Sequence, residues 1–310
     1  MLKPFLPARP EYQPLVPTRR WLICGALMVM ASVWAFLPVL KQLVVRWNSD
    51  PQYSHGFFVP VIAAAIVWFR RSDVPPGDTT SHAGGLAWIA AGLLCYLAGL
   101  SIAFDWLQAM ALLPVLYGVA AVLGGPWLMS VVWPAILFLS FMVPLPFRFE
   151  VAMAQPLQKL ASVSSVFVLQ TLGIVATRHG NLLNIEGHVL GVAEACSGLR
   201  MLVVFFALST AFAVLGHRSW IHNLILICSA VPIALICNIG RIVLTGLLYL
   251  TAGEELASRL FHDFAGWLMM PAALLLMWIE MKYVDLVIDD SVGGMGPAVG
   301  PTAVAAPQLR

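Results

Sequence analysis

Residues 221–250 read IHNLILICSAVPIALICNIGRIVLTGLLYL, and Arg241 is the only side chain among them that carries a full charge at neutral pH. A helix of about 20 apolar residues crosses the roughly 30 Å hydrocarbon core of a bilayer. Thirty residues would make a helix of about 45 Å, so this helix either emerges well beyond the bilayer or breaks near Gly240. In both cases the run predicts a transmembrane segment with Arg241 near its outer rim.

The composition extends this conclusion to the whole chain. Of its 310 residues, 60% are hydrophobic and 10% are charged, and the mean hydropathy is +0.88. Such values are typical of integral membrane proteins and exclude a soluble fold. The net charge is only +2 and the lysines and arginines are dispersed, so we expect no nucleic-acid partner. We therefore predict an all-α, polytopic protein whose surroundings are the lipid bilayer.

Hydrophobic windows predict about eight transmembrane helices. They cover residues 21–40, 54–69, 84–103, 106–123, 127–143, 198–215, 221–241 and 264–282. Because eight is even, both termini lie on the same side in this topology. That side carries Arg19, Arg20, Arg70, Arg71, Arg218 and Lys282, which favours a cytoplasmic location. The opposite side carries Lys41, Arg46, Arg148 and Lys159, which weakens the bias.

Three parts of the chain differ in composition. Residues 1–20 hold five prolines and predict a disordered leader, because proline interrupts helices. Residues 21–285 form the predicted membrane domain. Residues 286–310, which are dominated at their end by Gly, Pro, Ala and Val without periodicity, predict a disordered tail.

Residues 144–197 begin and end on the non-cytoplasmic face in this topology, and we expect them to form a small cap there. Residues 157–176 mix apolar and polar side chains, which favours an interfacial or re-entrant helix. Residues 178–195 place Gly180 and Gly187 at turn-like positions and alternate partly around Leu182, Ile185, Val189 and Val192. This pattern predicts a small hairpin that leads to Cys196.

Cys196 lies in the motif EACSGLR (194–200), a polar stretch just before an apolar run. If a helix begins near Ser197 or Gly198, its dipole and unpaired amide groups would favour the reactive thiolate at Cys196. The alternative is a packed thiol, which we expect for the other four cysteines in hydrophobic segments: Cys24, Cys95, Cys228 and Cys237. The cysteines show neither a disulfide framework nor metal-ligand spacing, so we predict no metal and no cofactor.

The topology places Cys196, Arg241 and His262 at the same non-cytoplasmic face. A histidine is a base near neutral pH, and a fixed guanidinium neutralises the oxyanion of an acyl-transfer intermediate. The three residue types together indicate a cysteine acyl-transferase. Each also has a structural interpretation: Arg241 can snorkel to lipid phosphate, and His262 can bond to the backbone near a helix start.

Other polar residues are further candidates on weaker grounds. His179 and His188 share the outer face as fallback bases, and His55 is possible, whereas His82, His217 and His222 fall on or near the other side. Glu194 and Asp263 either orient a base or face solvent. Arg200 follows Cys196 by four residues, a spacing that stacks side chains on one helix face. It either lowers the pKa of the thiol or pairs with Glu194 or Glu186.

The order of these motifs resembles the exosortase/archaeosortase family of polytopic membrane cysteine transpeptidases. The matching elements are EACSG (194–198), Asn238-x-x-Arg241, His262 before the last span, and YSHGFFVP (53–60) followed by Arg70 and Arg71. The likeness covers roughly residues 21–285. It implies that Cys196 is the nucleophile, that His262 is the acid and base, and that Arg241 stabilises the oxyanion or orients the substrate. YSHGFFVP carries no chemistry that the resemblance assigns.

The resemblance also implies a substrate and a place in the cell. The substrates would be secreted proteins that end in a Pro-Glu-Pro motif, a transmembrane helix and a basic cluster, and the acceptor nucleophile stays open. The protein would lie in a bacterial inner membrane with its site facing the periplasm or the exterior. Two alternatives are a transporter or flippase component for polysaccharide export and a scaffold of an export complex. No inverted repeat supports a transporter, and both alternatives predict tolerance of Cys196→Ala.

Overall fold

The computed structural model describes residues 19–74, 82–180, 182–191, 198–216, 219–252 and 266–287. Its α-helices are α1 (Arg19–Ala35), α2 (Leu37–Ser49), α3 (Val59–Asp73), α4 (Gly84–Ser101), α5 (Asp105–Met110), α6 (Leu112–Phe138), α7 (Phe147–Thr171), α8 (Gly198–Leu215), α9 (Trp220–Ala252) and α10 (Gly266–Val287). The strands are β1 (Ala176–His179), β2 (Leu182–Ile185) and β3 (His188–Gly191), and two 3₁₀ helices are Pro51–Phe57 and Leu139–Met142. The helical architecture that the composition predicts is confirmed.

The chain divides into two compact units. The first comprises residues 1–160 and 197–207, and the second comprises residues 161–196 and 208–310. The predicted leader and tail lie outside the described residues except at their inner edges. There the chain is helical, since α1 begins at Arg19 and α10 continues to Val287.

Four segments of the described residues are long and apolar enough to cross a membrane: Pro51–Ser72, Gly84–Ser101, Asp105–Met142 and Trp220–Thr251. A bent pair of helices, Gly25–Ala35 and Leu37–Ser49, makes a fifth span if it is counted as one. These findings establish a multi-pass membrane protein. The number of eight spans stays a prediction.

The first predicted span, 21–40, is interrupted. The two helices that share it, α1 and α2, meet at Phe36 with a bend of 62°. Pro38 lies in the first turn of α2, where a missing amide hydrogen costs little but where the ring prevents continuation of the preceding helix. Phe36 is 1% exposed, so the bend is also held by packing. The hydrophobic window alone did not reveal this break.

The long segment Asp105–Met142 doubles back on itself. A straight helix of this length would exceed 50 Å, well beyond the hydrocarbon core. Gly125 interrupts it with φ 57° and ψ −153°, a conformation open mainly to glycine. Asp105, at one end of the segment, and Val143, just past the other end, line the same cavity of about 480 Å³ in the first unit. The break at Gly125 falls between the predicted spans 106–123 and 127–143, whose count as two crossings stays a prediction.

Glycines let α4 and α6 approach closely. Gly85, Gly92 and Gly99 are buried and recur every seven residues along α4. A β-carbon on Gly85 would stand 2.6 Å from the carbonyl oxygen of Gly118 in α6. In lipid, where apolar surface gives no net drive for helix association, such close backbone packing stabilises helix pairs.

The 144–197 cap differs in detail from its prediction. Helix α7 begins at Phe147, ten residues before the predicted start, and ends at Thr171. Instead of a single hairpin, the chain forms a three-stranded antiparallel meander, β1-β2-β3. Gly180 and Gly187 lie in turns with φ 64° and 96°, as their positions predict. Glu186 also has positive φ, 49°, so the β2–β3 connection is a two-residue turn of the type that suits strand twist.

The buried face of the sheet is formed by alternate residues of β2. Leu183 and Ile185 are buried at 0% and 1% exposure, whereas Leu182 and Val189 are 49% and 66% exposed. Successive strand side chains point to opposite faces, so Leu182 and Ile185 could not both face inward. Leu183 and Ile185 join the core of the second unit with residues of α7 and α9, namely Ala161, Leu169 and Ile242.

Candidate active site

Of the three predicted catalytic residues, the structure describes Arg241. Cys196 and His262 lie outside the described residues, as do Glu194 and Asp263. The geometry of the candidate site is therefore built from Arg241, the helix that carries it, and the strands that precede Cys196.

Arg241 lies on α9, which is helical from Trp220 to Ala252 without interruption. Of the two possibilities for the long apolar run, the structure thus takes the continuous helix, and no break occurs at Gly240. Arg241 is 21 residues from the start of α9, about 32 Å along the axis at 1.5 Å per residue. This is close to the thickness of a hydrocarbon core. The helix then continues for eleven residues beyond Arg241.

Around Arg241 the helix surface is mostly buried. Ile242 is fully buried, Arg241 itself is half-buried, and the Thr245 hydroxyl donates a 2.7 Å hydrogen bond to the Arg241 carbonyl oxygen. Asn238, one turn earlier, is 2% exposed. Its Oδ1 has no hydrogen-bond partner among the described residues. A buried amide oxygen without a partner is unfavourable, so Asn238 and Arg241 form a polar position in a mainly apolar stretch of α9.

The sheet packs against this same part of α9. Ile239, Ile242 and Val243 of α9 contact the core cluster that contains Leu183 and Ile185 of β2. Farther along α9, the ring centroids of Tyr249 and His188 in β3 are 6.2 Å apart. The strands that lead to Cys196 therefore rest on the helix half that carries Arg241.

The fallback histidines are distributed between the two units. His179 and His188 belong to the sheet of the second unit and are exposed. His55 lies in the first unit, in the Pro51–Phe57 3₁₀ helix, and its Nε2 is 3.2 Å from the carbonyl oxygen of Phe141. Arg200, in the first turn of α8, is close enough to His55 to act on it electrostatically. The sequence did not predict this relationship.

The histidines predicted to lie away from the site have local structural roles. His82 Nδ1 accepts a 3.1 Å hydrogen bond from the Gly84 amide at the start of α4. His222 is 2% exposed, and its Nδ1 lies 2.7 Å from the Ser219 hydroxyl at the start of α9. His217 lies outside the described residues.

A family model described as transmembrane exosortase matches residues 47–279. The chain belongs to the transmembrane exosortase family. No curated relative and no solved structure matches it. The exosortase match covers most of the chain, including YSHGFFVP, Cys196, Arg241 and His262. It confirms the family that the motifs suggest, and it indicates a membrane transpeptidase or protease that acts on sorting signals.

Proposed function

We propose that the protein is a cysteine transpeptidase or protease of a bacterial inner membrane. It cleaves the C-terminal sorting signals of secreted proteins, of the type with a Pro-Glu-Pro motif, a transmembrane helix and a basic cluster. The site opens to the periplasm or the exterior. The observation that carries this proposal is the exosortase match across residues 47–279, which includes the ordered Cys, Arg and His motifs.

In the proposed reaction the Cys196 thiolate attacks a peptide carbonyl near the Pro-Glu-Pro motif. The new sulfur–carbon bond forms as the carbonyl becomes an oxyanion, whose charge the Arg241 guanidinium stabilises. When the carbon–nitrogen bond breaks, His262 gives a proton to the leaving amine. An amine acceptor or water then attacks the thioester and gives a proton to His262, and the Cys196 thiolate leaves. These reaction steps need neither a metal nor a redox partner.

The second unit supports the pairing of Cys196 with Arg241. β3 ends at Gly191, and Cys196 follows after five residues, a length of chain that spans at most about 18 Å. β2 and β3 in turn contact α9 next to Arg241, through Ile242, and two turns beyond it, through Tyr249. The sheet thus ties the segment before Cys196 to the helix of the proposed oxyanion group.

The test is a processing assay in membranes with a secreted reporter that ends in the sorting signal. Cys196→Ala should abolish the size shift of the reporter. The level of the Cys196→Ala protein in the membrane should stay unchanged. Cys95→Ala is the matched control, because that thiol is half-buried on α4 in the first unit. Processing by Cys196→Ala at the parental rate would sink the proposal and favour a transporter or scaffold.

A further inference from the structure

The motif YSHGFFVP and the residues just before it contact one distant segment of the chain. Tyr53 and His55 lie in the Pro51–Phe57 3₁₀ helix, and Trp47 lies at the end of α2. The segment that they contact is 141–150, which joins the 3₁₀ helix Leu139–Met142 to the first turn of α7. All of these residues belong to the first unit.

Glu150 receives two hydrogen bonds from the 3₁₀ helix. Gln52 Nε2 donates to its Oε1 over 2.9 Å, and the Tyr53 hydroxyl donates to its Oε2 over 3.2 Å. Tyr53 is 2% exposed, so its hydroxyl has little access to water as an alternative partner. Hydrogen bonds to an ionised carboxylate are stronger than neutral ones, and a carboxylate in the first turn of a helix is further favoured by the dipole.

Two further contacts hold the start of the segment by its backbone. The Trp47 indole donates a buried 2.8 Å hydrogen bond to the Met142 carbonyl, and His55 Nε2 lies 3.2 Å from the Phe141 carbonyl. Gly56 leaves room for this arrangement, because a β-carbon there would collide with the Trp47 indole ring. The Tyr, His and Gly of the motif therefore each have a defined place in one interface.

Arg200, just past the far end of the cap, lies within electrostatic range of the same 3₁₀ helix. Arg200 acts electrostatically on His55, and Arg200 follows Cys196 by four residues. The described residues on the two sides of the cap, 141–150 and Arg200, thus lie within reach of Pro51–Phe57. A loop that is held at its start has fewer conformations than a free one, so its residues are confined to a narrower range of positions.

We infer that Tyr53 and Glu150 are positioning residues for the exosortase reaction: with the Pro51–Phe57 helix they clamp the start of the cap whose other end carries Cys196. This inference rests on the proposed function of Cys196. It assigns a role to YSHGFFVP, which the family resemblance left without chemistry. In this role both residues act through the position of the cap.

The test uses full-length protein in lipid nanodiscs and two variants that keep side-chain shape, Tyr53→Phe and Glu150→Gln. Trypsin cleavage at Arg148, an exposed residue in the first turn of α7, reports opening of the clamp without reference to activity. We expect cleavage there to become about ten-fold faster in Tyr53→Phe, as for loss of a hydrogen bond to a charged group. Ser54→Ala is the control, because its hydroxyl donates to the Pro51 carbonyl within the same 3₁₀ helix.

Reporter processing is measured on the same samples. Tyr53→Phe should lower kcat by about ten-fold with little change in KM, because the nucleophile is misplaced while substrate contacts remain. Glu150→Gln keeps an oxygen acceptor, so its kcat should lie between those of the parent and Tyr53→Phe. Unchanged trypsin cleavage in both variants, or faster cleavage with parental kcat, overturns the inference. Cys196→Ala is assayed beside them, and full activity there would instead refute the proposed function while the cleavage result still measures the clamp.

Discussion

Ile185 at the end of β2 lies so close to Gly246 of α9 that a β-carbon on residue 246 would stand 2.7 Å from Ile185 Cδ1. The small size of residue 246 thus sets how near the sheet approaches the helix that carries Arg241. Leu169 of α7 also faces this position, at 3.6 Å from the same imagined β-carbon. The contact links the strands before Cys196 to the helix that carries Arg241.

A bulky side chain at residue 246 should therefore displace the sheet. We expect Gly246→Leu to reduce reporter processing at least ten-fold, because a shift of about 1 Å at a reacting group can cost two orders of magnitude. Gly240→Ala is the matched control on the same helix, since no atom of the described residues lies within 4 Å of its added β-carbon. It should retain activity and gain about 1 kcal/mol of helix stability. Equal activity of the two variants would show that the sheet contact does not position the site.

Replacement of Arg241 by lysine separates an oxyanion group from a lipid anchor. A planar, permanently charged guanidinium is poorly replaced by an ammonium group, whereas snorkelling tolerates either cation. Arg241→Lys should reduce processing by about two orders of magnitude, in line with roughly 3 kcal/mol for one oxyanion donor. Its level in the membrane should stay normal.

Arg71→Lys is the control for that change, because Arg71 lies at the end of α3 with its guanidinium carbon 3.5 Å from the centroid of the Trp68 ring. This variant should process the reporter normally. Near-parental processing by Arg241→Lys would indicate that Arg241 is a lipid anchor. Arg200 would then be the next candidate for the oxyanion group.

The orientation of the spans can be measured with single cysteines in a protein whose native cysteines are replaced. In intact spheroplasts, a membrane-impermeant maleimide should label Asp105→Cys and should reach Ser72→Cys only after permeabilisation. Both residues are exposed in the first unit, so burial does not explain a difference between them. Labelling of Ser72→Cys from outside would invert the topology and move the proposed site to the cytoplasm.

The cysteines outside the motif should be dispensable for chemistry but unequal in stability. Cys237 is 4% exposed on α9, whereas Cys228 on the same helix is exposed, contrary to the prediction of a buried thiol. Cys237→Ala should destabilise the protein by roughly 1 kcal/mol through the small cavity, and Cys228→Ala by close to zero. Thermal unfolding in detergent measures this difference. Loss of processing in Cys228→Ala without loss of protein would contradict the assignment of Cys196 as the only reactive thiol.

The sequence alone determined the membrane character and many of the segment positions. Helix α8 begins and ends at the predicted residues 198 and 215, and Gly180 and Gly187 occupy turns as predicted. These features follow from local causes: apolar side chains partition into lipid, and glycine adopts positive φ at little cost. The family too was readable, because its motifs are short and lie in the chain in a fixed order.

The tertiary structure decided the features that depend on residues far apart in the chain. Tyr53 and Glu150 are 97 residues apart, and no local pattern predicts their hydrogen bond. The inward face of β2 and the uninterrupted course of α9 past Gly240 were also open until packing was known, since hydrophobicity alone allows several registers and both helix forms. Hydropathy places a segment in the membrane, but only the contacts between segments determine which polar groups meet there.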